Sequence, residues 1–269
     1  MRILKYGSKI LGERRKADFL KYFDREVEVT RIVSFGSCNF HCPYCKRDGQ
    51  QVDQNGNIIR SVEVSDEEVF KILQKSLDAG ERIRLSGGDP VMHPRDSLEI
   101  AKWAASQGQK ISMAHNGSSI RFAEMMAPYL EYAAIDLKGD NGDELAFRAG
   151  LPSRSGKKML ESTIRVQDLL SSSGVLVDIR TPVFGDTTLD QLFSMAELIL
   201  KGGDTGNEFW TLRKYNEVRH CDWIQPRGET ISEYAQIISE KFPELPIGVR
   251  EKWSNGGFVI YKGGENYET

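Results

Sequence analysis

The sequence predicts an α/β fold whose parallel sheet curves into a barrel. Strand-like and helix-like segments alternate along most of the 269 residues, which is the rhythm of βαβ units. Six strand-like segments finish in glycine or polar residues: Gly36-Ser-Cys, Ser86-Gly-Gly-Asp, His115-Asn-Gly, Asp136-Leu-Lys, Arg180-Thr-Pro and Lys214-Tyr-Asn. Ligands bind at C-terminal strand ends in α/β proteins, and one site fed by six ends favours a curved sheet. No linker, low-complexity run or repeat divides the chain. A single domain over 1–269 is expected, with a core from about 28 to 216 and a C-terminal helix and strands over 217–269.

The elements follow in order. EVTRIVSFG (28–36) alternates with β-branched residues and runs straight into a cysteine loop. The Asn55-Gly56 pair, between QQVDQ and NIIRSVEV, predicts an inserted hairpin. In SDEEVFKILQKSLDAG, Ser65 and Glu68 form a capping box and Gly80 a stop. Then come strand RIRLSGG, helix RDSLEIAKWAASQG, strand KISMAHNG, helix IRFAEMMAPYL and strand YAAIDLKG. The second half continues with helix SGKKMLESTIRVQDLLSSSG, strand VLVDIRTPVFG, helix LDQLFSMAELILKGG and strand EFWTLRKYN. Helix TISEYAQIISEKF, a short strand around PIGVRE and a final strand GFVIYKG close the chain.

Composition excludes several classes. With 39% hydrophobic and 28% charged residues and a net charge of -3, this is an ordinary globular chain, not a generic binder of nucleic acid or anionic membranes. No apolar run is long enough for a membrane span. Charge breaks the N-terminal segment too early for a signal-peptide core, so a cytoplasmic location is expected. The four cysteines do not form the even spread of a disulfide framework. Cys38, Cys42 and Cys45 fall within eight residues and Cys221 stands far away. Such clustering points to metal or redox chemistry.

The loop reads Cys38-Asn-Phe-His-Cys42-Pro-Tyr-Cys45. Three thiolates on one four-iron cluster leave one iron open to an outside ligand, which makes that iron a reaction site. The alternative is a zinc loop completed by His41 or Cys221, in a non-catalytic interaction module.

This CxxxCxxC loop, with Tyr44 before Cys45 and Ser86-Gly87-Gly88-Asp89-Pro90 one βα unit later, resembles the radical S-adenosylmethionine (SAM) superfamily. The resemblance implies a partial (β/α)6 barrel of the radical SAM type with a C-terminal extension, a [4Fe-4S] cluster on Cys38, Cys42 and Cys45, and SAM as co-substrate. The second motif is usually Gly-Gly-Glu-Pro, so Asp89 is a shortened variant. Within the superfamily the chain is most similar to the glycyl-radical-enzyme activating enzymes, of the pyruvate formate-lyase or anaerobic ribonucleotide reductase type. That likeness rests on Asn116-Gly117, Asp136-Leu137-Lys138, Arg148-Ala149-Gly150 and the Arg180-to-Gly185 segment. Ala114 stands where those enzymes carry an acidic residue, Tyr215-Asn216 where they tend to have Tyr-His, and no second cysteine cluster follows the first.

Site roles follow from chemistry and from that likeness. Gly87 and Gly88 let backbone approach the methionine part of SAM, since no Cβ intervenes. Asp89 is suited to its ammonium. Lys138 and Arg180 are cations at the ends of neighbouring strands, suited to a carboxylate. Asp136 is suited to orienting Lys138, to a ribose or to a cation, and Asn116 to a ribose hydroxyl or carboxylate. Tyr44 and Tyr215 are the candidates beside adenine. His93, His115, Cys221, Trp103 and the Met125-Met126 pair read as packing residues. No side chain reads as a nucleophile or general base, because the cofactor carries the hard chemistry. The resemblance further implies an electron donor such as flavodoxin or ferredoxin. The expected reaction is hydrogen abstraction from a glycine of a partner glycyl radical enzyme. The alternative substrate is a free small molecule such as a nucleotide or a 7-deazapurine precursor.

Overall fold

The computed structural model describes residues 1–6, 14–26, 29–45, 59–202, 206–218, 221–227, 230–250 and 258–268. Its spine is the parallel series that the strand rhythm predicts. The first strands in chain order are β1 (Arg2–Tyr6), β2 (Arg14–Lys16) and β3 (Val29–Phe35), with a 3-10 turn at Asp18–Phe23 before β3. β4 (Ile59–Glu63) leads into α1 (Asp66–Asp78), where Ser65 Oγ accepts from the Glu68 amide as its capping position predicts. Next come β5 (Arg82–Gly87), α2 (Pro94–Ser106), β6 (Ile111–His115), α3 (Ile120–Met126) and β7 (Leu130–Asp136). α4 (Gly142–Ala149) and α5 (Ser153–Ser172) follow, then β8 (Leu176–Val183), α6 (Leu189–Gly202) and β9 (Glu208–Lys214). α7 (Thr230–Lys241), β10 (Ile247–Arg250), β11 (Val259–Lys262) and β12 (Glu265–Glu268) complete the chain.

The sheet runs β12-β11-β10-β9-β8-β7-β6-β5-β3-β1-β4, with β2 also on β3. From β3 through β5, β6, β7, β8 and β9 to β10 every pairing is parallel. Antiparallel strands flank that series: β1, β2 and β4 on one side, β11 and β12 on the other. This is an open, parallel-rich partial barrel, as the resemblance implies. One detail differs from the sequence expectation of six strands. PIGVRE is a seventh parallel strand, because Ile247–Arg250 aligns with Trp210–Arg213 of β9. Ile59–Glu63 pairs with the N-terminal strand, and the Asn55-Gly56 hairpin lies outside the described residues.

Strand alternation sorts side chains to two faces. Val177, Ile179, Trp210, Leu212, Ala133 and Ile135 face the helices and join the main core with Leu73, Ile100 and Val166. Their neighbours Tyr132, Ala134, Leu176 and Phe209 face the barrel interior, where Phe19, Phe258 and Ile260 close over them. Phe19 is the plug: its ring centroid lies 5.3 Å from each of the rings of Tyr132, Phe209 and Phe258. Above Leu176 and Phe209 the same face turns polar, with Asp178, Arg180, Thr211 and Arg213.

Candidate active site at the strand ends

The cysteine loop leaves β3 and is held from two sides. Gly88, just past the end of β5, donates to Phe35 O at 2.8 Å and Asp89 N donates to Ser37 O at 2.7 Å. The fit leaves no room for side chains. A Cβ on Gly87 would lie 2.2 Å from Phe35 N, and one on Gly88 2.0 Å from Ser37 O. Both glycines therefore bring the β5 end against the root of the cysteine loop. On the far side, Phe40 is buried against Leu145 and Ala149 of α4, and His41 N donates to Ala149 O at 2.9 Å.

Asp89 is a hub. Its Oδ1 accepts from Val91 N at 2.9 Å and pairs with His115 Nδ1 at 2.8 Å, while Oδ2 accepts from Asn116 N at 2.7 Å. Asn116 in turn donates from Nδ2 to Asn39 Oδ1 at 2.7 Å and points toward Cys38 Sγ at 3.8 Å. The second motif, the third strand end and the first cysteine thus form one connected network. His93 also belongs to the loop, with Nε2 2.9 Å from Ser37 Oγ and its ring stacked on Phe35 at 5.0 Å. Both histidines are structural, as expected: His93 braces the loop at Ser37, and His115 acts on it through Asp89. No sequence signal revealed their partners, which are 56 and 26 positions away.

A second group lies over Cys42. Lys138, 8% exposed, donates to Asp136 Oδ2 at 2.7 Å, and its Nζ stands 5.8 Å from the Tyr44 ring centroid. Burial draws the ammonium down, but Asp136, then Tyr44 and Cys42, outweigh it and hold Lys138 well above its usual range. Burial also tends to raise the Asp136 carboxyl, yet Lys138 holds it below normal. Lys138 therefore stays a cation beside the thiols. Tyr44, Phe184, Tyr215 and Trp223 form an aromatic wall, with centroids 5.0 Å apart for Tyr44–Phe184 and for Phe184–Tyr215. Burial, then Cys221, pushes the Tyr215 phenol up to about 12. Cys221 accordingly sits beside Tyr215. Arg148 packs its guanidinium 4.3 Å from Phe184 and 4.6 Å from Trp223 and bonds both oxygens of Asp186 at 2.9 Å. Arg180 lies elsewhere, on the inner face of β8, bonded to Asp178 at 2.6 Å and to Tyr132 Oη at 2.6 Å.

The donor set at the loop fits an iron–sulfur cluster in its chemistry. Cys38, Cys42 and Cys45 are all half-buried thiols, and Cys38 lies within electrostatic reach of Cys42, as Cys42 does of Cys45. Burial pushes the Cys38 thiol up to about 12 and raises Cys42 as well, with Lys138 opposing. Metal loading must therefore displace protons from these thiols. Among the described residues no three metal-binding side chains already form a closed ligand group.

The model of the family described as the radical SAM superfamily matches residues 32–199. The chain belongs to the radical SAM superfamily. That family implies a 4Fe-4S cluster and SAM. The radical SAM chain is 26% identical over 230 residues to a probable GTP 3',8-cyclase of Methanococcus maripaludis, covering 82% of this chain and 72% of the relative. A GTP 3',8-cyclase of Trichormus variabilis is 34% identical over 96 residues, which is 34% of this chain and 28% of that one. Among solved structures, Streptococcus suis SuiB bound to SAM superposes with a TM-score of 0.61 at 14% identity, over 88% of this chain and 54% of that one. A domain of a pyruvate-formate lyase-activating enzyme from Bacteroides vulgatus superposes with a TM-score of 0.51 at 18% identity, over 63% and 98%. These structural likenesses concern the fold. Among the described residues no helix is long and apolar enough to cross a membrane.

Proposed function

We propose that this radical SAM enzyme draws hydrogen from a free small molecule of the nucleotide class. The observation that carries the reading is the likeness to a probable GTP 3',8-cyclase along 82% of the chain. It supports a free small molecule over a glycine of a partner glycyl radical enzyme. In this reading Cys38, Cys42 and Cys45 hold the 4Fe-4S cluster. When bound, the cluster and SAM supply an electron and a 5′-deoxyadenosyl radical. The chain's own residues position and shield. Lys138, kept cationic by Asp136, faces the SAM carboxylate. Gly87 and Gly88 offer backbone to its methionine part, while Asp89 fixes Asn116 toward the ribose. Tyr44 and Tyr215 flank adenine, and their wall with Phe184 and Trp223 keeps water from the radical. A flavodoxin or ferredoxin serves as electron donor.

The test is deuterium transfer. Reduced, cluster-loaded enzyme with SAM and ribose-deuterated GTP or another ribonucleotide should place deuterium in 5′-deoxyadenosine. Asn116-Gly117, Asp136-Leu137-Lys138 and Arg148-Ala149-Gly150 support the activase as the second reading. That reading gains if deuterium comes only from a partner protein's labelled glycine, with a stable protein-centred radical signal.

A further inference from the structure

Inside the barrel, beneath the strand ends, is a chamber of about 40 Å³. Arg84 of β5, Arg180 of β8, Arg213 of β9 and Arg250 of β10 all line it, and Asp178 is the one carboxylate in that lining. Asp178 is already committed. Its Oδ1 accepts from Thr211 Oγ1 at 2.5 Å, and its Oδ2 accepts from Tyr132 Oη at 2.5 Å and Arg180 Nε at 2.6 Å. It neutralises Arg180, and Asp18 is a further carboxylate whose charge reaches Arg250. Arg84 is 9% exposed, lies 5.1 Å from the Tyr132 ring centroid, and buries an Nη2 with no hydrogen-bond partner among the described residues. Burial, and after it the charge of Arg180, holds both Arg84 and Arg250 below the usual arginine range.

Buried cations are retained only where a counter-charge meets them. The guanidinium fork fits the paired oxygens of a carboxylate or phosphate. The chamber holds more than one water, which leaves room for one anionic group. Phe19, Leu20 and Phe258 form its apolar side, while Arg180 stands in register with Asp136 at the end of β7.

We propose that Arg84, Arg180 and Arg250 bind an oxyanion of the substrate, a phosphate or a carboxylate, deep in the barrel. The substrate enters anion first, leaving its reacting C–H bond near the strand ends. This rests on the reading of a small-molecule substrate, since a backbone glycine carries no such group. It also assigns Arg180 to the substrate and leaves Lys138 to SAM.

The test is calorimetric titration of cluster-loaded, SAM-saturated protein with pyrophosphate, inorganic phosphate and malonate, at ionic strength fixed with chloride. Saturable binding of one anion per chain is expected, weakened at least about tenfold in Arg84→Gln and Arg250→Gln, with iron content and SAM affinity retained. Preference for the phosphates identifies a phosphate group, and preference for malonate a carboxylate. If the variants do not fold, phenylglyoxal labelling of the wild type decides, with pyrophosphate or malonate expected to protect Arg84 and Arg250. No binding beyond chloride, binding indifferent to both substitutions, or labelling without protection overturns the proposal. Anion binding requires no turnover, so failed deuterium transfer from nucleotides with intact anion binding would count against the proposed reaction alone.

Discussion

Gly150 backs onto His41. The glycine ends α4 in the left-handed conformation at φ 63°, and a Cβ there would lie 2.1 Å from His41 O. One residue earlier, Ala149 O receives the His41 amide at 2.9 Å. The Arg148-Ala149-Gly150 motif thereby acts at the cysteine loop, because the end of α4 forms its outer support.

Replacing Gly150 by Ala should therefore impair cluster loading more than folding. The left-handed backbone alone costs a side chain roughly 1–2 kcal/mol, and the contact with His41 adds displacement of the loop between Cys38 and Cys42. The expected result is reduced iron per chain after anaerobic reconstitution, with helical circular dichroism retained. Full iron occupancy in Gly150→Ala would show that the loop does not depend on this contact.

The ligand assignment makes a sharper prediction. Anaerobic protein should carry about four irons per chain and a brown colour. Cys38→Ala, Cys42→Ala and Cys45→Ala should each abolish both, whereas Cys221→Ala, beside Tyr215, should keep them. Iron retained in any loop variant but lost without Cys221 would reverse the assignment.

Phe19 offers a test of the barrel floor. It is 5% exposed and touches three aromatic rings. Phe19→Ala should cost about 3–5 kcal/mol, the usual range for emptying a buried aromatic site. Chemical denaturation should show the loss as a lower midpoint with an unchanged slope.

Much of this architecture is legible in the sequence, for physical reasons. Alternating apolar residues in β3, β7 and β8 must bury two faces, and glycine and polar residues mark where each strand leaves the core. The cysteine loop and Gly87-Gly88-Asp89 are local in sequence, so their spacing reveals them. Other parts carry no such signal. β12, ENYE, is exposed throughout and has no apolar alternation to read. The eight residues of α4 are too short for periodicity to stand out. Arg84, Tyr132, Asp178 and Arg250 converge only because four strands curve, a long-range fact invisible to any local window. Arg180 reads from sequence like Lys138, a cation at a strand end. Its partner Asp178, two residues earlier on the same face, holds it inside the barrel instead.

Lys138 provides the last test, of the SAM carboxylate. Its ammonium is buried, 2.7 Å from Asp136 Oδ2 and next to Tyr44, and Asp136 keeps it charged against the pull of burial. Lys138→Ala should lower SAM affinity by about one to two decades, the worth of one charge-assisted hydrogen bond at ~1.5–3 kcal/mol. It should also lower stability, since Asp136 loses its partner, though Asp136 is 38% exposed and water softens that loss. The double variant Lys138→Ala with Asp136→Asn separates the two effects. Removing the stranded carboxylate should restore melting temperature toward wild type while SAM affinity stays low and iron content stays full. Equilibrium dialysis of SAM against reconstituted proteins, paired with thermal melts, measures both. If the double variant recovers SAM affinity along with stability, Lys138 serves only to neutralise Asp136, and the carboxylate must be held by another group.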